Sequence, residues 1–176
     1  MKIMTGAWYW VAQLVGAAIA GFLLVAMVGG PAVANGTPNL AANVPFLNGI
    51  IIEAVLTFFL VLVIFGTAVD ERAPKSIFPL AIGLTIALDI MAAGPLTGAS
   101  MNPSRTFGPA LASGMWSNHL VYWIGPLIGG AIGALVQHYV FIERAPSPET
   151  AARGGPAPAE EHSYGLIHRF ELRTGG

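Results

Sequence analysis

Between Ala7 and Gly29 no side chain is charged, and nothing else in the 176 residues restricts the fold as strongly. As a helix this stretch is roughly 34 Å long, at ~1.5 Å per residue, enough to cross the hydrocarbon core of a bilayer. Comparable apolar stretches lie at about 48–69, 76–94 and 119–142. With 55% of residues hydrophobic and only 10% charged, the chain falls outside the ordinary water-soluble class, in which about 25% are charged. The pattern predicts an all-α membrane protein with transmembrane helices over 7–29, 48–69, 76–94 and 119–142. The first of them follows Met-Lys, yet it exceeds the ~7–15-residue apolar core of a secretion signal and leads to no clear cleavage site.

The few charges set an orientation. An even number of spans puts both termini and the connection "DERAPKS" on one side of the membrane. That side collects Lys2, Arg72, Lys75, Arg144, Arg153, Arg169 and Arg173, seven of the eight basic residues, while the loop Gly30–Leu47 has none. The positive-inside rule makes it the cytoplasmic side, the residues next to spans counting most. The expected setting is therefore the plasma (inner) membrane with both termini cytoplasmic, and Arg105 alone lies on the outer side. A net charge of −1 offers no field for nucleic acid, and the absence of cysteine removes disulfides and thiolate metal sites. After Ile142 the chain becomes rich in Pro, Ala, Gly and charge, so 143–176 is expected to be a disordered cytoplasmic tail. A short partner-binding stretch at Tyr164–Leu172 is the alternative there.

A repeat accompanies the spans. "YWVAQLVGAAIAGFL" (9–23) matches "YWIGPLIGGAIGALV" (122–136) at an offset of 113, with six of fifteen positions identical. If the first and fourth helices are equivalent, the unit contains three spans and alternate copies are inverted in the membrane, an architecture common among transport proteins. A counterpart of Asn102 would then fall at 102 − 113 = −11, ahead of Met1.

The stretch "GASMNPSRTFGPALA" lies between the third and fourth spans and is too apolar and Gly-rich for a solvated loop. Asn before Pro is a strong helix start, because Asn caps free N–H groups and Pro fits the first turn. A re-entrant half-helix over about 103–112 satisfies both features, since irregular backbone at membrane depth must be buried or line a watery cavity. Its positive dipole end and the Asn102 amide would face whatever passes. Arg105, one turn later, offers several donors and a permanent charge that would hold water or neutral solutes while repelling cations and protons. The plainer alternative is a capped helix with a surface arginine.

These residues resemble the major intrinsic protein family, the aquaporins and glycerol channels, across about residues 7–142. The family's second signature is Asn-Pro-Ala-Arg, carried here with Ser104 in place of Ala. "YWVAQLVGA" is similar to the family's third helix, "EAVLTFFLVLVIFGTAVD" to its fourth, "PLAIGLTIALDIMAAGPLTG" to its fifth and "VYWIGPLIGGAIGAL" to its sixth. "GPLTGASMNP" looks most like bacterial and vacuolar-type members. The resemblance implies an aquaporin-like fold, partial, in a domain over 1–142 with four transmembrane helices and one half-helix. It implies passive passage of water, with ammonia or small neutral solutes as further cargo, and a homotetramer for the full-length protein. Asn102 would donate to water at the pore centre, Pro103 would start the half-helix and Arg105 would belong to the outer filter. Ile90 and Ala99 would take the fifth-helix and loop filter positions. Glu53 resembles the fourth-helix glutamate that braces the signature loop by hydrogen-bonding its backbone, a structural role rather than proton transfer. Asp89 is expected to cap free N–H groups or to line the outer mouth.

The family's first two helices and first half-helix have no counterpart in the sequence. The expectation is a channel lacking half its pore wall, and the alternative is a non-conducting membrane subunit packing with full-length relatives. Gly125, Gly129 and Gly133, with Gly16, Ala20 and Ala17, Gly21, mark faces suited to close helix crossing. No enzyme is expected. His119 and His138 lie near opposite ends of the fourth helix, and His162 and His168 fall in the tail. No carboxylate pair, nucleophile–base set, metal site or cofactor motif is visible.

Overall fold

The computed structural model describes residues 3–142. Lys2, Arg144, Arg153, Arg169, Arg173, His162, His168 and the tail with its Tyr164–Leu172 stretch lie outside the described residues. Six α-helices follow one another, and no strand occurs among the described residues: α1 (Ile3–Val28), α2 (Gly30–Gly36), α3 (Phe46–Ile64), α4 (Phe78–Thr97), α5 (Pro103–Ser113) and α6 (Val121–Val136). Two of them run on into wider π-helical turns, α3 over Phe65–Val69 and α6 over Gln137–Ile142. Four segments are long and apolar enough to cross a membrane: Ile3–Val28, Phe46–Val69, Phe78–Thr97 and Val121–Phe141. The 11-residue α5 spans about 16 Å, half a bilayer.

Three elements differ from the sequence expectation by more than two residues, the first being α1, which begins at Ile3 rather than at Ala7. Residues 30–47 were expected as a loop, but Gly30–Gly36 is helical. Gly29 takes φ 85°, a left-handed conformation open to glycine, which breaks α1. Pro31 then sits in the first turn of α2, where its missing N–H costs nothing. The third span was expected to end at Gly94, whereas α4 runs through Pro95 to Thr97 and stops at Gly98, φ 83°.

Close backbone approach organises the packing. On α6, Gly125, Gly129 and Gly133 lie along α3. A Cβ at Gly129 would collide with the Ala54 carbonyl oxygen, at Gly125 it would stand 2.8 Å from Ile50 O, and at Gly133 2.7 Å from Phe58 O. On α1, the partner is α5: a Cβ on Gly21 would collide with Gly108 O, and one on Gly108 with Ala17 O. Of the two small-residue rows expected on the first helix, the Ala17, Gly21 row makes this contact, while a Cβ on Gly16 would meet nothing within 4 Å.

The connection between α3 and α4 is polar. Arg72 donates from Nε and Nη2 to the Asp70 carboxylate at 2.9 and 2.6 Å, and Nη2 also reaches Phe141 O at 3.0 Å. Lys75 Nζ donates to Ala68 O and Asp70 O at 3.2 and 2.8 Å. Cations thus meet free carbonyls at two helix C-termini, the favourable end of each dipole for positive charge. The Arg72 guanidinium holds the Asp70 carboxyl at about 2, well below its ordinary value. At the other end of the bundle, Asn118 Nδ2 donates to Asn39 Oδ1 at 3.0 Å, and Ala41 N to Leu96 O at 2.9 Å.

Candidate functional site

The residues between α4 and α5 form a tight buried loop. Gly98 closes α4, after which Ala99 and Met101 adopt φ 42° and 54°. A side chain in that region is strained, so neighbouring contacts must hold it there. Glu53 of α3, fully buried, supplies them. Its Oε1 accepts from Thr97 Oγ1 at 2.7 Å and Ser100 N at 3.0 Å, and its Oε2 accepts from Met101 N at 2.7 Å. A carboxylate receiving three convergent donors is well satisfied away from water.

Further bonds complete the loop. Thr97 Oγ1, whose proton goes to Glu53, accepts from Ala99 N at 3.1 Å. Ser100 Oγ donates to Asn102 O at 2.9 Å and stands 2.6 Å from Thr106 Oγ1. Because a hydroxyl carries one proton, Thr106 is the donor in that second contact. Tyr122 of α6, also fully buried, donates its hydroxyl to Thr97 O at 2.7 Å.

Asn102 begins α5 in extended conformation. Its Oδ1 accepts from Ser104 N at 2.9 Å and Arg105 N at 3.4 Å. Those two donors orient the amide, and its NH2 group has no partner among the described residues. Arg105 is exposed and makes one long contact, Nη1 to Gly98 O at 3.5 Å. Two cavities flank this helix start. The larger, about 440 Å³, lies between α1, α2 and α5 and includes Ala17, Gly21, Val33, Ser104 and Arg105. The smaller, about 160 Å³, is bounded by Asn102, Pro103, Trp10, Leu14, Trp123 and Leu127. Trp10 with Trp123 and Leu14 with Leu127 are each separated by 113, the repeat offset. Two residues of α1 thus share a cavity wall with their own repeat equivalents on α6.

Of the residues singled out from sequence, the structure gathers Asn102, Pro103 and Arg105 at the head of α5 and places Glu53 behind their loop. Ala99 is fully enclosed within the loop. Ile90 is 43% exposed on α4 and lines neither cavity. Asp89 is buried but caps nothing: its Oδ2 has no hydrogen-bond partner among the described residues. Thr97, Ser100, Thr106 and Tyr122 were not singled out. Single hydroxyls carry no spacing signal, and only the fold shows that they converge on one loop.

Comparison with known proteins agrees with this geometry. The family model described as Major intrinsic protein matches residues 1–137. Aquaporin TIP2-1 of Arabidopsis thaliana is 46% identical over 144 residues, covering 81% of this chain and 57% of the relative. Probable aquaporin TIP3-2 of Arabidopsis thaliana is 41% identical over 164 residues, 92% of this chain and 61% of the relative. Aquaporin TIP1-2 of Zea mays is 46% identical over 149 residues, 82% and 58%. The chain thus spans about three-fifths of the length of these curated relatives. With the signature loop, the half-helix and the matched residues together, the chain belongs to the major intrinsic protein family.

Proposed function

We propose that this chain forms part of the wall of a passive water channel, with ammonia or other small neutral solutes as further cargo. As a member of its family it is not an enzyme. The observation that carries the reading is the Asn102 amide: both N–H groups of the next turn occupy its oxygen, so its NH2 is left to donate into the cavity. The α5 dipole adds positive potential at the same point, favouring a water molecule oriented oxygen-first and opposing cations. Arg105 adds a fixed charge beside the larger cavity. Ile90 and Ala99 are assigned to the filter by resemblance, and a homotetramer is the assembly in this reading. By the positive-inside rule, Arg72 and Lys75 support a cytoplasmic α3–α4 connection and, with an even number of spans, cytoplasmic termini.

A pore of this design needs a second half-helix entering from the opposite face, and one half-helix is present among the described residues. Residues 1–176 reconstituted alone in liposomes are therefore expected to shrink osmotically no faster than empty vesicles. Preceded by the part of Aquaporin TIP2-1 that the match leaves uncovered, the chain is expected to raise water permeability with low activation energy, and Arg105→Ala in that chimera to admit larger solutes. An inserted chimera that conducts nothing supports the non-conducting subunit instead.

A further inference from the structure

Around His119, between α5 and α6, lies a run of rings that water passage does not by itself require. Trp123 Nε1 donates to His119 Nε2 at 3.0 Å. The Trp116 ring stands edge-on to the imidazole at 4.7 Å, and Phe107 of α5 lies 6.5 Å away. On its far side Trp123 meets Trp10 of α1 at 6.1 Å, and these two tryptophans wall the small cavity with Asn102 and Pro103.

The bond from Trp123 defines the state of the imidazole. Indole nitrogen is a donor only, so Nε2 must offer a lone pair, and the ring is neutral with its proton on Nδ1. A second proton would have to go to Nε2, setting N–H against N–H and removing the bond. We propose that His119 is a positioning residue whose neutral imidazole holds Trp123 against the head of the half-helix, and that protonation releases that ring. Its effect on permeation rests on the channel reading, but the hold itself does not.

The surroundings favour the neutral form. Burial pushes the His119 imidazole below its ordinary 6.5, and among the described residues no charged group acts on it, Arg105 on α5, Glu53 on α3 and Asp89 on α4 included. The facing stretch of α1 carries no charge at all. The sign follows from a lowered value: the hold is complete above about pH 6.5 and is lost as pH falls through the lower value of the folded protein.

The test uses residues 1–176 in detergent micelles. The imidazole Cε1–H signal of His119, identified by its loss in His119→Gln, is followed against pH by NMR, and tryptophan emission is recorded in parallel. The expected result is a midpoint below 6.5, with an emission step at the same pH that is absent from His119→Gln. Trp123→Phe, which removes the donor, is expected to raise the His119 midpoint by about 0.4–1 pH unit. A wild-type midpoint at or above 6.5, or an unchanged midpoint in a helical Trp123→Phe protein, overturns the proposal. Neither measurement needs permeation, so its outcome is separable from that of the channel reading.

Discussion

Two carboxylates tie two connections at opposite ends of the helix bundle, and their partners differ completely. Glu53 is fully buried and receives only neutral donors, one hydroxyl and two backbone N–H groups. Asp70 lies near the surface, faces the Arg72 guanidinium at 2.6 Å and has Lys75 nearby. Away from water, every donor aimed at Glu53 would be orphaned without it, so the carboxylate and the shape of the loop depend on one another. Near water, solvent can replace either member of the Asp70–Arg72 pair, and the tie is correspondingly weak. The same functional group is thus a keystone in one place and a local clasp in the other.

Removing the buried carboxylate is the strongest way to break this contrast. Glu53→Leu leaves Thr97 Oγ1, Ser100 N and Met101 N unpaired, at ~1–3 kcal/mol each, and is expected to abolish the folded loop. Glu53→Gln keeps one acceptor oxygen and turns an NH2 toward a remaining donor, so its cost is expected to be intermediate, about 1–3 kcal/mol. Denaturation in mixed micelles, followed by circular dichroism, reads both. Equal midpoints for the two variants would show that the loop does not depend on the acceptors.

The brace also requires α3 and α6 to touch, since one carries Glu53 and the other Tyr122. Gly129→Ala places a methyl against the Ala54 carbonyl and is expected to cost about 1–3 kcal/mol by forcing the helices apart. Gly16→Ala, in open space on α1, is the control and is expected to be neutral or to stabilise by up to ~1 kcal/mol through helix propensity. If the two variants unfold alike, close approach at Gly129 is not what holds the pair.

Smaller effects sharpen the comparison. Tyr122→Phe removes one hydroxyl bond to Thr97 O and is expected to cost ~1 kcal/mol, with faster proteolysis near residues 97–102 as the readout. Asp70→Asn is expected to lower the thermal midpoint by at most ~2 °C, an effect that fades with added salt. Because the folded value of Asp70 is lowered to about 2, its contribution is present above the ordinary 3.8 and is lost as pH falls through about 2. A loss of stability between pH 7 and 5 that disappears in Asp70→Asn would contradict that assignment.

Much of the fold was legible because its signals are local. Four apolar stretches marked the spans, Asn102-Pro103 marked the start of a half-helix, and the glycine row on α6 marked a close crossing. Residues 30–36 were missed because a seven-residue helix leaves little periodicity and Gly29, Gly30 and Pro31 look like ordinary turn residues. The functions of Thr97, Ser100, Thr106 and Tyr122 were missed for a different reason: each is a single hydroxyl, and their partners, two to 44 residues away, follow no period along the chain.

The sequence by itself determined that this chain lies in a membrane, how many times it can cross and where a half-helix begins. Charge-free length and an Asn-Pro cap are local features of the chain, so they survive without coordinates. The resemblance already implied that Glu53 braces the signature loop, and only the tertiary structure decided which three donors, 44 to 48 residues away, it receives. It also decided that Trp10 meets Trp123, its own repeat equivalent. Such contacts arise where helices cross, and the crossing is set by which glycines let two backbones touch, a property of surfaces in space that no window along the chain contains.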